Sequence, residues 1–184
     1  MALITGIAGS LRGGSFSHPV LASIASLLPE STDFQTIDIG AIPHYNQDLD
    51  SEAAPETVVA ARTLVGRSDA VIIVTPEFNH GLPGVLKNTL DWLSRPAFSS
   101  TILGKPVMFA TISPGALGGV RAQAQLRETL SSMLCRLVPL PEIAITHVGS
   151  KIEDGRLADA KTLAFIKQGL DKFLAQMAPG AQAA

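Results

Sequence analysis

An apolar run, a loop rich in glycine and hydroxyl groups, and a helical pattern follow one another without a break at the start of this chain, and few folds accommodate that succession. Ala2–Ala8 (ALITGIA) is short, apolar and uncharged, the composition of a parallel strand buried on both faces. Residues 9–17 read Gly-Ser-Leu-Arg-Gly-Gly-Ser-Phe-Ser, and residues 19–28 then carry Val20, Leu21, Ile24 and Leu27 on one helical face. Unpaired N–H groups and the positive end of the macrodipole meet where such a helix starts, so an anion is stabilised there. Ser10, Ser15 and Ser17 add hydroxyl donors, and Arg12 adds a guanidinium suited to bidentate phosphate contact. The same residue types also build an ordinary helix cap, and the loop alone does not separate the two readings.

What the loop lacks narrows the anion. Gly9 and Gly14 have the spacing of a nucleoside-triphosphate loop, but Ser15 stands where its lysine is required. Gly6, Gly9, Gly13 and Gly14 do not supply Gly-x-Gly-x-x-Gly either. A terminal monophosphate fits better than a triphosphate or a pyrophosphate.

Downstream, strand and helix patterns alternate. Residues 33–39 alternate as a half-exposed strand, 55–65 form an amphipathic helix, and 70–75 (AVIIVT) are the most β-branched run, hence the central strand. Gly84–Leu93 is helical, Pro106–Ile112 a strand, and 120–134 a long helix. Residues 137–145 form a strand interrupted by Pro139 and Pro141, and 156–177 the last helix. Five strands and five helices in this order give right-handed crossovers around a parallel sheet in one domain over 1–177, followed by a frayed tail over 178–184. Such a sheet binds ligands beyond the carboxyl ends of its strands, so 9–17, 76–83 and 113–119 converge on one crevice.

The remaining signals exclude more than they assign. A formal net charge of -2 and the absence of a basic cluster argue against nucleic acid. No apolar run approaches the roughly 20 residues of a membrane span, and the N-terminus lacks a signal-peptide pattern, so a soluble cytoplasmic protein is expected. The single cysteine, Cys135, rules out an intramolecular disulfide, and beside Met133 and Leu134 in a helical stretch it reads as a buried packing thiol. A mean hydropathy of +0.30 suggests apolar surface covered by another subunit. His18, His44, His80 and His147 show no metal-ligand spacing. Glu77 has no second carboxylate or histidine paired with it in sequence, which disfavours acid–base catalysis. Asp38 would bind a ribose in a dinucleotide fold, but the glycine fingerprint that role requires is missing. Lys87, Arg121 and Arg127 read as solvated faces or subunit ion pairs, and Asp91 and Trp92 as structural or subunit-contact residues.

These residues carry a resemblance. Gly9-Ser10-Leu11-Arg12 with Ser15, Pro43-His44-Tyr45-Asn46-Gln47-Asp48, Pro76-Glu77-Phe78-Asn79 followed by Pro83-Gly84, Leu86-Lys87-Asn88 with Asp91-Trp92, and Ser113-Pro114-Gly115 with Gly118-Gly119 and Arg121 resemble the NAD(P)H-dependent FMN reductases. This is the group of flavodoxin-like quinone, azo-dye and chromate reductases, and the similarity runs in register over roughly residues 3–150. It implies a flavodoxin-like α/β three-layer sandwich whose five-stranded parallel sheet has the order 2-1-3-4-5. It also implies a non-covalent FMN, with its phosphate on Ser10, Arg12, Ser15, Phe16 and Ser17. The flavin ring would lie against Pro76, Glu77, Phe78 and Asn79, with Ser113, Gly115 and Gly118 near its pyrimidine edge.

The implied chemistry is ping-pong. NAD(P)H delivers hydride to the flavin, leaves, and a quinone, azo compound, metal oxyanion or free flavin takes its place. The flavin carries the reaction, so no catalytic acid or base and no metal is named. The alternative is a non-enzymatic electron carrier or FMN-binding sensor on the same fold; carriers are typically strongly acidic, which a net charge of -2 does not match. Ser17 stands where the group usually has asparagine, and Phe78 where tyrosine is common. The resemblance further implies a homodimer or homotetramer built through the helices at 84–93 and 120–134. A basic residue for the extra phosphate of NADPH would be Arg95 or one from a neighbouring subunit.

Overall fold

The computed structural model describes residues 1–51 and 53–177; the tail at 178–184 lies outside the described residues. Its centre is β3 (Ala70–Pro76), in which Ala70, Val71, Ile72, Ile73 and Val74 are all fully buried. A strand covered on both faces has no polar side to offer, which is why this run is continuously apolar rather than alternating. β1 (Ala2–Ala8) lies parallel on one side with Ala8 opposite Val74, and β4 (Pro106–Ile112) on the other with Ile112 opposite Pro76.

β2 (Thr32–Thr36) forms the edge beyond β1. The fifth position is shared by β5 (Arg136–Leu137) and β6 (Ile143–Ile145), both parallel to β4, so the strand order is 2-1-3-4-5 with a divided fifth strand. Pro139 and Pro141 lie in the gap, where the missing N–H groups cannot feed a ladder.

Successive β3 side chains point to opposite faces and meet two apolar clusters. Ile72 and Val74 join α1 (Ser17–Ser26) and α5 (Ala160–Met177) through Val20, Leu21, Ile24, Ile166, Leu170 and Phe173. Val71 and Ile73 join α2 (Glu56–Arg67), α3 (Gly84–Leu93) and α4 (Val120–Ser132) through Val65, Leu86, Leu90 and Leu126. Among the described residues, no helix is long and apolar enough to cross a membrane.

Several boundaries differ from the sequence reading. β2 stops at Thr36 rather than residue 39, because the Asp38 carboxylate accepts from Gly40 N–H at 3.0 Å and turns the chain into a short 3-10 helix, Ile39–Ala41. α4 ends at Ser132 rather than residue 134. Leu134 is at φ 57°, and Cys135 lies beyond the helix, half-buried. Residues 156–157 belong to a hairpin, β7 (Ile152–Glu153) and β8 (Arg156–Leu157), and the last helix begins only at Ala160. α1 begins at Ser17, ahead of the expected Pro19.

Ile73 is fully buried at the middle of the sheet. Ile73→Ala is therefore expected to lower the unfolding free energy by about 2–5 kcal/mol, read as a lower urea midpoint at unchanged slope.

Candidate functional site

Because β1, β3 and β4 are adjacent and parallel, the turns that follow them leave the sheet at one rim. The first turn leaves through Gly9, whose N–H donates to Val74 O at 2.7 Å. A Cβ at Gly9 would lie 2.4 Å from Thr75 Oγ1, so only glycine lets β1 and β3 separate this late. Ser10, Ser15 and Ser17 are all buried; Leu11, Arg12, Gly13 and Gly14 are exposed.

Within this turn Ser10 Oγ accepts from Arg12 N–H at 3.3 Å, and Ser15 Oγ accepts from Ser17 N–H and donates to Ser17 Oγ, both at 3.2 Å. Ser17 is 0 % exposed and stands behind Ser15, which it holds in place. The Phe16 ring packs on the core beneath the turn. Among the described residues, the N–H groups of Gly13, Gly14 and Phe16 have no protein acceptor. Open N–H groups beside a helix start, the hydroxyl of Ser10, that of Ser15 once it turns from Ser17, and an exposed guanidinium suit a phosphate monoester.

The second turn is rigid. Phe78 and Gly81 exchange N–H···O bonds of 3.0 and 2.9 Å around Asn79 and His80, both at positive φ (48° and 64°), the geometry of a type I′ hairpin turn. Phe78 is 58 % exposed at its shoulder. Glu77 is the residue that ties this turn to the next. Gly119 opens α4 and has no side chain with which to cap it, and Glu77 Oε2 accepts from the N–H groups of Arg121 (3.0 Å) and Ala122 (3.3 Å) instead. Arg121 Nη1 adds an ion pair to Glu77 Oε1 at 3.6 Å. Arg121 is thus engaged within the chain rather than merely solvated, and the Glu77 carboxylate is engaged as a cap rather than placed for acid–base chemistry. Gln125, which carried no sequence signal, reaches across to accept from Leu82 N–H.

The third turn hangs on β6. Ser113 N–H donates to Ile145 O, and His147 N–H to Gly115 O, both at 3.0 Å. Gly118 is at φ 61°, its O accepts from Thr111 Oγ1 at 2.7 Å, and a Cβ there would lie 2.8 Å from the Ala144 carbonyl carbon. Gly118 therefore faces inward, and the part open to the crevice runs from Ser113 to Leu117.

The 43–50 segment is fastened to α3. Trp92 Nε1 and Asn88 Nδ2 both donate to Pro43 O (2.8 and 2.9 Å), and Asn88 Oδ1 accepts from Tyr45 N–H at 2.7 Å. Arg62 completes the clamp, bonding Trp92 O and pairing with Asp50 at 2.9 Å. Asn88 and Trp92 are structural. Arg127 pairs with Glu142 at 3.7 Å, and Lys87 with Asp91 at 2.6 Å. Burial pushes the Cys135 thiol up to about 12, so it stays protonated and unreactive at neutral pH. No cluster of histidine, cysteine or carboxylates able to hold a metal occurs among the described residues.

The profile of the NADPH-dependent FMN reductases matches residues 2–149. The chain belongs to that family. It is 38% identical to a quinone reductase of Pseudomonas putida, covering 91% of this chain and 90% of that protein. It is 40% identical to a 2-hydroxy-1,4-benzoquinone reductase of a Burkholderia species, covering 95% and 96%. Its fold matches the flavoenzyme NAD(P)H:(acceptor) oxidoreductase FerB of Paracoccus denitrificans with a TM-score of 0.87 at 34% identity, over 96% of this chain and 97% of that one. As a member of the FMN reductase family the protein is a flavoprotein oxidoreductase, with FMN as cofactor and NAD(P)H as electron donor.

The Glu77 cap generates a stability prediction. Glu77→Ala strands two N–H groups and is expected to cost about 0.5–2 kcal/mol. Glu77→Gln, which keeps an acceptor oxygen, should recover most of that loss in urea denaturation.

Proposed function

We propose that the rim formed by the three turns is the FMN site, and that the protein uses it to pass electrons from NAD(P)H to a quinone. The observation that carries this reading is the convergence of an open phosphate cradle and two rigid turns beyond adjacent parallel strands. The names of the relatives from Pseudomonas putida and Burkholderia support a quinone as the acceptor.

In this reading residues 1–177 act as one FMN-binding domain. Ser10, Arg12 and Ser15, with the free N–H groups of the first turn, hold the phosphate, while Ser17 and Phe16 brace them from behind. Pro76, Glu77, Phe78 and Asn79 form the wall for the ring, largely through backbone, and Ser113 and Gly115 offer polar groups to its pyrimidine edge. Bound FMN supplies the redox chemistry, accepting hydride and returning electrons to the acceptor. The residues around it orient the two substrates in turn over one ring face, which is the entropic part of the catalysis. Purified protein is expected to show flavin absorbance that bleaches with NADH or NADPH under nitrogen and returns on adding a benzoquinone. A protein that cannot be loaded with FMN, or that fails to turn over the quinone, refutes the proposal. Arg12→Ala removes a charge-assisted contact, a loss of about 1.5–3 kcal/mol or roughly 10- to 150-fold in FMN affinity, measurable by fluorescence titration.

We further propose that two copies assemble through α3 and α4. A groove of about 600 Å³ lies between them, lined by Lys87, Asp91, Arg95, Gln125 and Glu128, with Phe98 on its border. Phe98 is 84 % exposed and Leu134 49 %, apolar area that a second copy would cover. Phe98→Asp is expected to shift the protein toward monomer in sedimentation or light scattering. The free, half-buried thiol fits a cytoplasmic location.

A further inference from the structure

A second groove lies beside the phosphate cradle, and nothing in the reading above occupies it. Its volume is about 330 Å³, and its walls come from the end of β1 (Ala8, Ser10), the first turn (Leu11), α1 (His18, Leu21) and the chain leaving β2 (Thr36 to Ile39). The two sides nearly touch at its end, where a Cβ on Gly40 would lie 3.1 Å from Leu11 Cδ2. Leu11, Leu21 and Ile39 give it an apolar side, Ser10, His18 and Thr36 a polar one, and Asp38 adds one carboxylate. Asp38 Oδ1 is used by Gly40 N–H, whereas Oδ2 has no protein partner among the described residues. His18 is held by its Nε2 contact to Ser10 O at 3.1 Å.

We propose that this groove takes the adenosine end of the electron donor, with the Asp38 carboxylate accepting from the ribose hydroxyls. The inference rests on the reading of the protein as an NAD(P)H-oxidising flavoprotein. The size is that of a small-ligand pocket, and walls that mix Leu11, Leu21 and Ile39 with Ser10, His18, Thr36 and Asp38 suit a flat base joined to a diol. In doubly wound sheets a carboxylate beyond the second strand is where a dinucleotide ribose is read. The glycine fingerprint that anchors a pyrophosphate at the β1 turn is missing, and the FMN phosphate takes that turn, so Asp38 is read here from the groove and its free Oδ2 rather than from that fingerprint. From the end of β3 to the end of β2 is two strand spacings, about 10 Å, a distance that a dinucleotide bridges. A carboxylate at that ribose repels a 2′-phosphate, so the groove favours NADH over NADPH.

The test compares donors with and without adenosine. FMN-loaded wild type, Thr36→Trp and Asp38→Asn are titrated calorimetrically with ADP-ribose and with ADP-ribose 2′-phosphate. Their kcat/KM values are measured for NADH, NADPH and reduced nicotinamide mononucleotide. Thr36 is exposed at the sheet edge, so a tryptophan there fills the groove without disturbing the core. The expected result is a tenfold or greater weakening of ADP-ribose binding by Thr36→Trp. NADH should then lose at least tenfold in kcat/KM relative to the mononucleotide. Asp38→Asn keeps the acceptor for Gly40 and should narrow the NADH-to-NADPH ratio at least threefold. The proposal is overturned if wild type does not bind ADP-ribose, if Thr36→Trp changes NADH and the mononucleotide in the same proportion, or if Asp38→Asn leaves the donor ratio unchanged. Flavin content and mononucleotide oxidation by wild type report separately on the underlying reading. A yellow protein that oxidises the mononucleotide but fails the groove tests rejects the groove alone.

Discussion

Burial of β3 on both faces is the constraint from which the rest of the architecture follows. Five consecutive residues, Ala70 to Val74, have no solvent exposure, so their amides must be satisfied by neighbouring strands and their side chains by helices above and below. Right-handed crossovers then place α1 and α5 on one face and α2, α3 and α4 on the other. No polar group can do chemistry inside such a sheet. Hydroxyls, open amides and charges collect at the rim where β1, β3 and β4 end together, and glycine at position 9 lets the first turn leave there against Thr75.

The rim is rigid because its turns are held by other parts of the chain rather than by themselves. Glu77 supplies the cap that Gly119 cannot, linking the second turn to α4. Thr111 and Ala144 hold Gly118, and the backbone of β6 and of residue 147 holds Ser113 and Gly115. The 43–50 segment is locked to α3 by Asn88, Trp92 and Arg62. A site that works by positioning a redox cofactor benefits from this arrangement, since geometry held before binding need not be paid for during it.

Much of this was legible in the residues. Continuous β-branched runs, helical spacing and the glycine-rich turn located β1, β3, β4 and α3 to the residue or nearly so, because those elements obey one local period from end to end. The failures have tertiary or capping causes. The alternation of 33–39 continues past Thr36, but Asp38 finds a local amide and ends the strand. Met133 and Leu134 extend the apolar pattern of α4, yet the chain turns there with Leu134 at positive φ and no glycine marks the place. The 152–157 hairpin spans only two residues per strand, too short for alternation to register, although Asp154-Gly155 is a turn dipeptide. In the site, the types of Ser15 and Arg12 carry the proposed phosphate role. That Ser17 stands behind Ser15, that Gly118 faces inward and that Gln125 holds the second turn depend on contacts between distant segments, which no local pattern encodes.

The distribution of acids at the rim sets what kind of reaction the site can host. The carboxylate on its second turn, Glu77, is committed to two helix amides and an arginine, and the one thiol of the chain, Cys135, is held protonated by burial. Both groups are thus engaged away from any reacting atom at the crevice. What does face it is backbone N–H, the hydroxyls of Ser10 and Ser15, the Arg12 guanidinium and the exposed Phe78 ring. In the proposed reading such a surface holds a phosphorylated planar molecule with a second flat one against it. In the proposed reading the bound group carries the chemistry, and this chain contributes the distance and orientation between two rings.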